Sequence, residues 1–342
     1  MQPHFFSKYH EFDPFLQEEQ ARGLVDLCEK FGSYGLYSEE SLNEGIGEGL
    51  PQRFDAAFNF IKTGGRFGQA HEDLATLAAR TNYFRETYAY GDEIAAPGIE
   101  FFYRNVELIE QAKKIFDRPV IEPAIVYANI LLPGQELATH TDVPEFRGLN
   151  RRLHPQWMLV VMHHSGLFDS WRMPIATSVS WYQDTEGGAF AFYPKGADQP
   201  ARTHSVRFNS AVIMDTDSVF HGVDRVQELD SPMPAFRSGM RLNAIGHRRW
   251  AVLDGAEEIG RYRWEEMRFS ISWKAYCFTD NADKERWHTH SEDLDVETVL
   301  DTLCADLRER GRLQDGRPSN RELAEILVDE YINFPKPCET CT

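Results

Sequence analysis

Short runs of β-branched and aromatic residues, separated by Gly, Pro, Asp and Asn, fill the chain between about residues 120 and 280. Runs of this kind are typical of an all-β sandwich or barrel. Hydrophobic residues make up 42% of the chain, which is enough to bury a large core beneath such strands. We predict strands at Ala124–Leu132, Thr177–Gln183, Ala189–Tyr193, Ser210–Asp215, Gly222–Gln227 and Arg268–Phe278.

Helical patterns lie on both sides of these strands. Asp13 and Pro14 place a capping residue before a proline at the first helical position, and the apolar spacing that follows predicts a helix that ends at Gly32. Further helices are predicted over 99–116, from Val296 to Gly311, and after the capping box Ser319–Glu322.

The domain organisation follows from what is missing between these elements. No internal repeat is visible in the sequence, and no glycine-rich linker separates the strands from the terminal helices. We therefore expect residues 1–342 to form a single domain with a mainly β core at 120–280. An N-terminal helical and irregular region (1–119) and C-terminal helices (281–342) should pack on the outside of that core.

The net charge restricts the kinds of molecule that the chain is expected to bind, and the cysteine content indicates its cellular compartment. The formal net charge of −18 repels nucleic-acid phosphates and anionic membrane surfaces. No run approaches the roughly 18 apolar residues of a membrane span, and no basic segment followed by an apolar one opens the chain. The cysteines are odd in number and thinly spread, which predicts a reducing, cytoplasmic compartment. They are Cys28, Cys277, Cys304, Cys338 and Cys341.

One pattern carries chemistry: His140-Thr141-Asp142, followed after 78 residues by His221. Residues i and i+2 of an extended segment point to the same side, so the His140 imidazole and the Asp142 carboxylate converge. His221 directly follows an apolar strand and offers a third ligand. Two imidazoles and one carboxylate on one face leave three positions of an ion open, as in non-haem Fe(II) oxygenases. An isolated His-x-Asp is also common by chance, so the surrounding sequence has to decide whether these three residues bind a metal.

Further pieces accompany this pattern in a fixed order. They are Tyr127-Ala-Asn129, His140-Thr-Asp142, Trp181 to Pro194 with Gly187-Gly188, Asn209 to Asp215, His221-Gly222-Val223 and Arg268-Phe-Ser270-Ile-Ser-Trp273. In this order the segment from Tyr127 to Phe278 resembles the Fe(II)- and 2-oxoglutarate-dependent dioxygenase superfamily. The resemblance implies a double-stranded β-helix, which is a jelly-roll, cupin-like barrel. It also implies that His140, Asp142 and His221 hold Fe(II).

The resemblance further implies a basic residue on the last core strand that holds the distal carboxylate of 2-oxoglutarate. Arg268 and Ser270 stand two residues apart on the predicted closing strand and therefore share a face. The interval of 46 residues after His221 is longer than is usual in the family, and Arg241 is the rival. We favour Arg268, because the glycine- and charge-rich stretch 238–267 is typical of an inserted hairpin. Arg241 is then expected to be a solvated hairpin residue.

Tyr127 and Asn129 share one face of the strand that precedes the metal strand. The resemblance suggests that they contact 2-oxoglutarate or the substrate, and packing inside the barrel is an equal alternative. The remaining groups of ligand-type residues have no carboxylate at matching strand spacing, or no partner pair, and we expect surface histidines and a frayed tail. These groups are His163-His164, His288-Thr-His290 and Cys338-Glu-Thr-Cys341.

The resemblance implies an enzyme that uses Fe(II), 2-oxoglutarate and O2 and releases succinate and CO2. Hydroxylation is the default outcome, and Asp142 argues against the halogenating variant, which usually lacks this carboxylate. The leading hypothesis is hydroxylation of a small molecule. The alternatives are a peptidyl or protein hydroxylase of the same superfamily, and a cupin-type metal-binding barrel that does not use 2-oxoglutarate.

A local reversal of charge suggests the class of substrate. Residues 143–182 carry more arginines than acidic residues in an otherwise acidic chain, and several large aromatics. The segment leaves the chain directly after Asp142, so it is expected to form a lid that binds a small carboxylate such as an amino acid or a natural-product acid. Pairing of these arginines with acidic surface residues is the alternative. The residues are Arg147, Arg151, Arg152, Arg172, Glu145, Asp169, Trp157, Trp171, Trp181 and Tyr182.

Overall fold

The structure is a computed structural model of the chain. It describes residues 8–37, 45–63, 82–227, 236–314 and 316–336. The predicted frayed tail with Cys338 and Cys341 lies outside these ranges.

Antiparallel strands form two main sheets and one short strand pair. The larger sheet has the order β1-β12-β9-β17-β5-β3-β2-β14-β15-β16, with β4 beside β3, and the smaller sheet has the order β11-β10-β13-β6. The strands are β1 (Tyr9–Phe12), β2 (Ser33–Tyr37), β3 (Tyr83–Tyr90), β4 (Glu93–Ile94), β5 (Val120–Leu131), β6 (Leu137–His140), β7 (Glu145–Phe146), β8 (Arg172–Met173), β9 (Ile175–Trp181), β10 (Phe190–Phe192), β11 (Arg202–His204), β12 (Ser210–Met214), β13 (His221–Val223), β14 (Arg241–Gly246), β15 (Arg249–Asp254), β16 (Glu257–Arg263) and β17 (Arg268–Phe278). Strands β7 and β8 form the separate pair.

The chain passes back and forth between the two main sheets. Strands β5, β9, β12 and β17 belong to the larger sheet, whereas β6, β10, β11 and β13 belong to the smaller one. The predicted mainly β core with flanking helices is therefore present. The hydrogen-bonded strands that the structure describes close neither sheet on itself, so the predicted jelly-roll barrel is not confirmed.

Each predicted strand corresponds to an observed one, with shifts of a few residues at the ends. The closing strand β17 has the predicted bounds, whereas the strand predicted at Gly222–Gln227 is shortened to β13. The stretch 238–267 forms β14, β15 and β16, which extend the larger sheet through β2. Strands β1, β2 and β3 come from the region expected to be helical and irregular, and the sequence analysis did not predict them.

Several of the observed helices differ from the predictions in their bounds or were not predicted. The helices are α1 (Glu18–Phe31), α2 (Phe54–Thr63), α3 (Glu100–Tyr103), α4 (Val106–Phe116), α5 (Gln156–Ser165), α6 (Asn281–His288), α7 (Val296–Glu309) and α8 (Asn320–Tyr331). The first begins at Glu18 and not at Pro14. The helix predicted over 99–116 is divided, because Asn105 caps α4 by accepting a hydrogen bond from Leu108 N at 3.0 Å. Helix α5 lies in the predicted lid and was not predicted.

Two large apolar clusters hold the helices against the sheets. The N-terminal helices α1 and α4 cover the outer face of the larger sheet, where Leu24, Leu108, Ile271 and Trp273 are fully buried. The Trp273 indole donates to the Tyr103 carbonyl at 2.8 Å. Helices α5, α7 and α8 share the second cluster. Helices from both ends of the chain thus pack against the sheets, and α5 packs with them.

A third cluster joins the inner faces of the two sheets. It contains Trp181, Val212 and Met214 from the larger sheet and Phe190 and Phe192 from the smaller sheet, all almost completely buried. The space between the sheets beside this cluster holds the predicted site residues. Among the described helices, none has the length and apolar character that a membrane span requires.

Candidate active site

His140, Asp142 and His221 lie together at one end of the smaller sheet. His140 ends β6 and His221 begins β13, and the two residues are register partners. The Nε2 atoms of His140 and His221 lie 3.8 Å and 3.7 Å from Asp142 Oδ1. Their ligand atoms all lie within 4.8 Å of one another, and this is the group of possible metal ligands found among the described residues.

Backbone carbonyls orient both imidazoles in the same way. His140 Nδ1 lies 2.7 Å from the Ala138 carbonyl oxygen, and His221 Nδ1 lies 2.8 Å from that of Val219. A carbonyl oxygen accepts only, so each Nδ1 carries the hydrogen, and each Nε2 presents a lone pair to the site. Such hydrogen bonds from the second ring nitrogen are characteristic of histidines that bind metals.

The two oxygens of the Asp142 carboxylate have different neighbours. Its Oδ2 accepts hydrogen bonds from Lys274 Nζ and Thr216 Oγ1, both at 2.6 Å. Thr177 Oγ1 lies 3.0 Å from Lys274 Nζ and 2.8 Å from Thr216 Oγ1 and completes the network. Because Oδ2 is occupied, Oδ1 alone faces the two imidazoles, which favours a single Asp142 contact to an ion.

The charge states of Asp142 and His140 suit a divalent cation. Burial on its own raises the pKa of Asp142, but Lys274 and the two imidazoles outweigh it and hold that pKa well below its usual range. Burial, helped by the neighbouring His221, lowers the pKa of His140 to about 4. At neutral pH Asp142 is therefore ionised and His140 neutral, as metal ligation requires.

Arg268 occupies the inner face of the larger sheet at the start of β17, with an exposed fraction of 2%. Its Nε donates to the Gly188 carbonyl at 2.7 Å, and its Nη1 lies 3.4 Å from Ser270 Oγ. Its Nη2 is buried without a hydrogen-bond partner among the described residues. Burial lowers the pKa of Arg268 to about 9, and Asp224 opposes this only in part. A buried arginine in this state fits an incoming carboxylate, which accepts from Nη2.

Gly188 makes room for the Arg268 side chain. Its φ of +61° is in the left-handed region, and a Cβ there would come within 2.8 Å of Arg268 Cδ. Aromatic contacts connect this pocket with the histidines. The Arg268 guanidinium carbon lies 5.6 Å from the Trp181 ring centre, and Phe190 contacts both Trp181 and His221, with ring centres 5.7 Å and 5.6 Å away.

The other predicted cofactor residues lie along the same inner face. Ser270 is directly opposite Asn129, and Ser272 is directly opposite Tyr127, in the ladder between β17 and β5. Asn129 Nδ2 lies 3.4 Å from Ser272 Oγ, and Asn129 Oδ1 has no partner among the described residues. Arg241 is elsewhere: it is exposed on β14 and pairs with Glu86 at 2.8 Å.

A cavity of about 860 Å³ opens at the surface, and none of His140, Asp142 and His221 lines its wall. Lys274, Tyr127, Glu145 and Tyr276 line its inner part, and Lys274 also contacts Asp142. Cationic residues outnumber acidic ones in its wall. The cations are Arg85, Arg147, Arg151, Arg152 and Lys274, and the acids are Glu93, Glu145 and Asp293.

The structure corrects most of the predicted lid. Trp157 lies in the buried helix α5, and Trp171 packs against the second apolar cluster. Trp181 is buried between the two sheets, and Tyr182 is buried in the first cluster. None of these aromatics lines the cavity. Arg172 pairs with Asp215 at 2.9 Å. Arg147, Arg151 and Arg152 do line the cavity, and Arg151 pairs with Glu145 at 3.1 Å.

The two histidine pairs outside the metal site have different environments. His163 and His164 were expected at the surface, but α5 buries them to exposed fractions of 2% and 6%. This prediction was wrong, because α5 is apolar on nearly every side and is enclosed by α7 and α8. His288 and His290 are exposed at the cavity mouth, as expected.

Sequence reasoning missed three residues that shape the site. Lys274 has the same alternation along β17 as Arg268 and Ser270, so its inward direction was available from the sequence, but its contact with Asp142 was not. Thr216 precedes β13 in a turn, and Arg85 lies on a strand that was not predicted. No local pattern distinguishes Thr216 and Arg85 from ordinary surface polar residues.

Comparison with known proteins gives structural similarity without sequence similarity. No family model matches the chain, and no curated protein is significantly similar to it. A prolyl-4-hydroxylase of Pseudomonas putida is similar over 80% of this chain and 93% of its own, at 9% identity and a TM-score of 0.37. HygX of Streptomyces hygroscopicus was solved with nickel, 2-oxoglutarate and hygromycin B. It is similar over 80% of this chain and 84% of its own, at 10% identity and a TM-score of 0.38.

A third similar structure is SnoK, a carbocyclase from nogalamycin biosynthesis that depends on α-ketoglutarate. It is similar over 80% of this chain and 81% of its own, at 10% identity and a TM-score of 0.41. HygX was solved with 2-oxoglutarate, and SnoK depends on the same keto acid.

Proposed function

We propose that this chain is an Fe(II)- and 2-oxoglutarate-dependent oxygenase that hydroxylates a small molecule bearing a carboxylate, such as an amino acid or a natural-product acid. One observation carries the proposal: His140, Asp142 and His221 form a three-ligand face, and the facing sheet holds a buried arginine whose Nη2 has no hydrogen-bond partner in the described part of the chain. Fe(II) would be held by the two Nε2 atoms and Asp142 Oδ1. When bound, it supplies the chemistry by which O2 converts 2-oxoglutarate to succinate and CO2 and hydroxylates the substrate.

The protein's own residues provide the geometry for this reaction. Lys274 and Thr216 hold Asp142 Oδ2, so Asp142 presents Oδ1 alone. Three protein ligands leave three positions for other ligands. Arg268 and Ser270 would hold the distal carboxylate of 2-oxoglutarate, with Asn129 beside them. In this proposal the interleaved sheets are the double-stranded β-helix of one domain, and its cytoplasmic location stays a prediction.

The cavity supports a small anionic substrate. Its inner end reaches Lys274, which contacts Asp142, and cations predominate in its wall. Such a wall attracts an anionic substrate and repels a cationic substrate. Three of the four arginines predicted to lie in a lid, Arg147, Arg151 and Arg152, line the cavity, although the predicted aromatic residues do not.

The test is anaerobic addition of Fe(II) and 2-oxoglutarate to the protein. We expect a weak visible absorption band from the chelated keto acid, absent from the His221→Ala variant. In air, carboxylic and amino acids should then stimulate succinate release. Metal binding without the band would support the cupin-type alternative, and stimulation by peptides or proteins alone would support the peptidyl hydroxylase.

A further inference from the structure

Arg85 lines the cavity on strand β3 and has an unusual set of neighbours. Its guanidinium carbon lies 3.7 Å from the Tyr127 ring centre and 5.0 Å from that of Tyr37. Among the residues that the structure describes, no carboxylate pairs with Arg85 and no acceptor takes a hydrogen bond from it. Aromatic faces attract a cation but leave the five N–H donors of a guanidinium without acceptors.

The other cavity cations are placed differently: three have acceptors, and Arg152 is exposed, with its guanidinium carbon 4.2 Å from the Tyr90 ring centre. Arg151 pairs with Glu145 at 3.1 Å and also donates to the Val143 carbonyl. Lys274 pairs with Asp142 at 2.6 Å. Arg147 donates to the Ser170 carbonyl at 2.8 Å. Arg85 is half-buried against aromatic rings, so water satisfies its donors only in part, and an anion in the cavity would satisfy them better.

The position of Arg85 places such an anion beside Tyr127, which also lies near Lys274. Arg85, Arg151 and Lys274 all lie near enough to Tyr127 to interact with it electrostatically. Three positive charges therefore lie near Tyr127, and one of them, Lys274, also contacts Asp142. At the opposite end, Leu153 and Tyr90 are exposed at the mouth, with exposed fractions of 71% and 39%.

We propose that Arg85 binds the anionic group of the substrate, and that the apolar part of the substrate extends toward Leu153 and Tyr90. This proposal rests on the proposed function and names the residue that selects its substrate. The ligand is a small amphipathic anion, with a carboxylate as its recognised group. Arg268 and Ser270 are not part of the cavity wall, so the 2-oxoglutarate pocket and the Arg85 site are separate.

The experiment is calorimetric titration of protein loaded with Mn(II) and 2-oxoglutarate, which prevents turnover. The probes are 3-phenylpropanoate, its neutral amide and phenyl phosphate. We expect the wild-type protein to prefer the carboxylate to the amide, and Arg85→Gln to weaken carboxylate binding about ten- to a hundredfold while amide binding is unchanged. Arg85→Lys should retain part of the preference. Phosphate binding that Arg85→Gln also weakens supports the same receptor with a broader choice of anion.

The matched control is Arg241→Gln, because Arg241 is an exposed arginine on the same sheet with its own carboxylate partner. It should leave every probe unaffected. The Fe(II)–2-oxoglutarate absorption band separates the two proposals: its absence from the wild-type protein overturns the oxygenase proposal. If the band is present, the Arg85 proposal is overturned by three results: no anionic probe binds, Arg85→Gln keeps the carboxylate preference, or Arg85→Gln weakens 2-oxoglutarate binding instead.

Discussion

The two faces of strand β17 have different compositions although they belong to the same eleven residues. Arg268, Ser270, Ser272 and Lys274 face the space between the sheets, and all are buried. Phe269, Ile271, Trp273 and Ala275 face the N-terminal helices and belong to the largest apolar cluster. The alternation of a strand thus lets one segment support the core with one face and carry the proposed 2-oxoglutarate residues on the other.

This difference has a physical consequence. Removal of an outer side chain leaves a cavity in a close-packed core and reduces the free energy of unfolding. Removal of an inner side chain eliminates a charge or hydrogen-bonding group aimed at a ligand, so binding and activity should decrease first. Function and stability are therefore expected to separate by face, and the same distinction applies to the metal ligands and to buried residues elsewhere in the core.

The largest effect is expected at the metal site. His221→Ala should eliminate most succinate formation, because two ligands do not hold the ion as three do, and the same applies to His140→Ala and Asp142→Ala. The variants should remain folded by circular dichroism, since His221 belongs to the polar interior beside the apolar clusters. Full turnover by His221→Ala would refute the assignment of the ligands.

The outer face should show the largest effect on stability. Trp273 is fully buried and donates a hydrogen bond to Tyr103, so Trp273→Ala should reduce the free energy of unfolding by about 3–5 kcal/mol in urea titrations. The fraction that stays folded should still bind 2-oxoglutarate with its ordinary affinity. Loss of that affinity in folded Trp273→Ala would show that the two faces are not independent.

The inner face should show the reverse pattern. Arg268→Met should weaken apparent 2-oxoglutarate affinity about ten- to a hundredfold, because about 1.5–3 kcal/mol of a charge-assisted contact is lost. Its free energy of unfolding should change little, since the variant also removes an uncompensated buried charge. Arg241→Met is the matched control, with no change in affinity. The opposite ranking would make Arg241 the anchor.

The smallest effect concerns a buried histidine without a proposed role in chemistry. Burial lowers the pKa of His164 to about 4, with Arg172 contributing and Asp55 opposing. The unfolded chain then binds more protons than the folded one between about pH 6.5 and 4, so stability decreases as pH falls through that window. This single group accounts for about 2 kcal/mol between pH 7.5 and 5.

The check is urea unfolding of metal-free protein at both pH values, with His164→Gln beside the wild type. The variant should lose that part of the pH dependence and keep 2-oxoglutarate binding. An identical pH dependence in the two proteins would contradict the assignment.

Much of the site could be predicted because it depends on local periodicity. The i, i+2 spacing brought His140 and Asp142 to one side, and it did the same for Arg268 and Ser270 on a strand whose observed bounds match the prediction. Helix α5 escaped prediction for the opposite reason: it is apolar on nearly all sides, so it lacks the one-sided pattern of a surface helix. The burial of His163 and His164 followed from that omission.

The sequence by itself determined the residue types of the metal site and the strand that carries Arg268. Tertiary structure alone decided that Lys274 and Thr216 hold Asp142 Oδ2, that Arg241 is remote, and that Arg85 meets Tyr127 in the cavity. The physical reason is range: strand alternation acts between residues two apart, whereas these contacts join residues 42 to 155 positions apart, which only the packing of the sheets brings together.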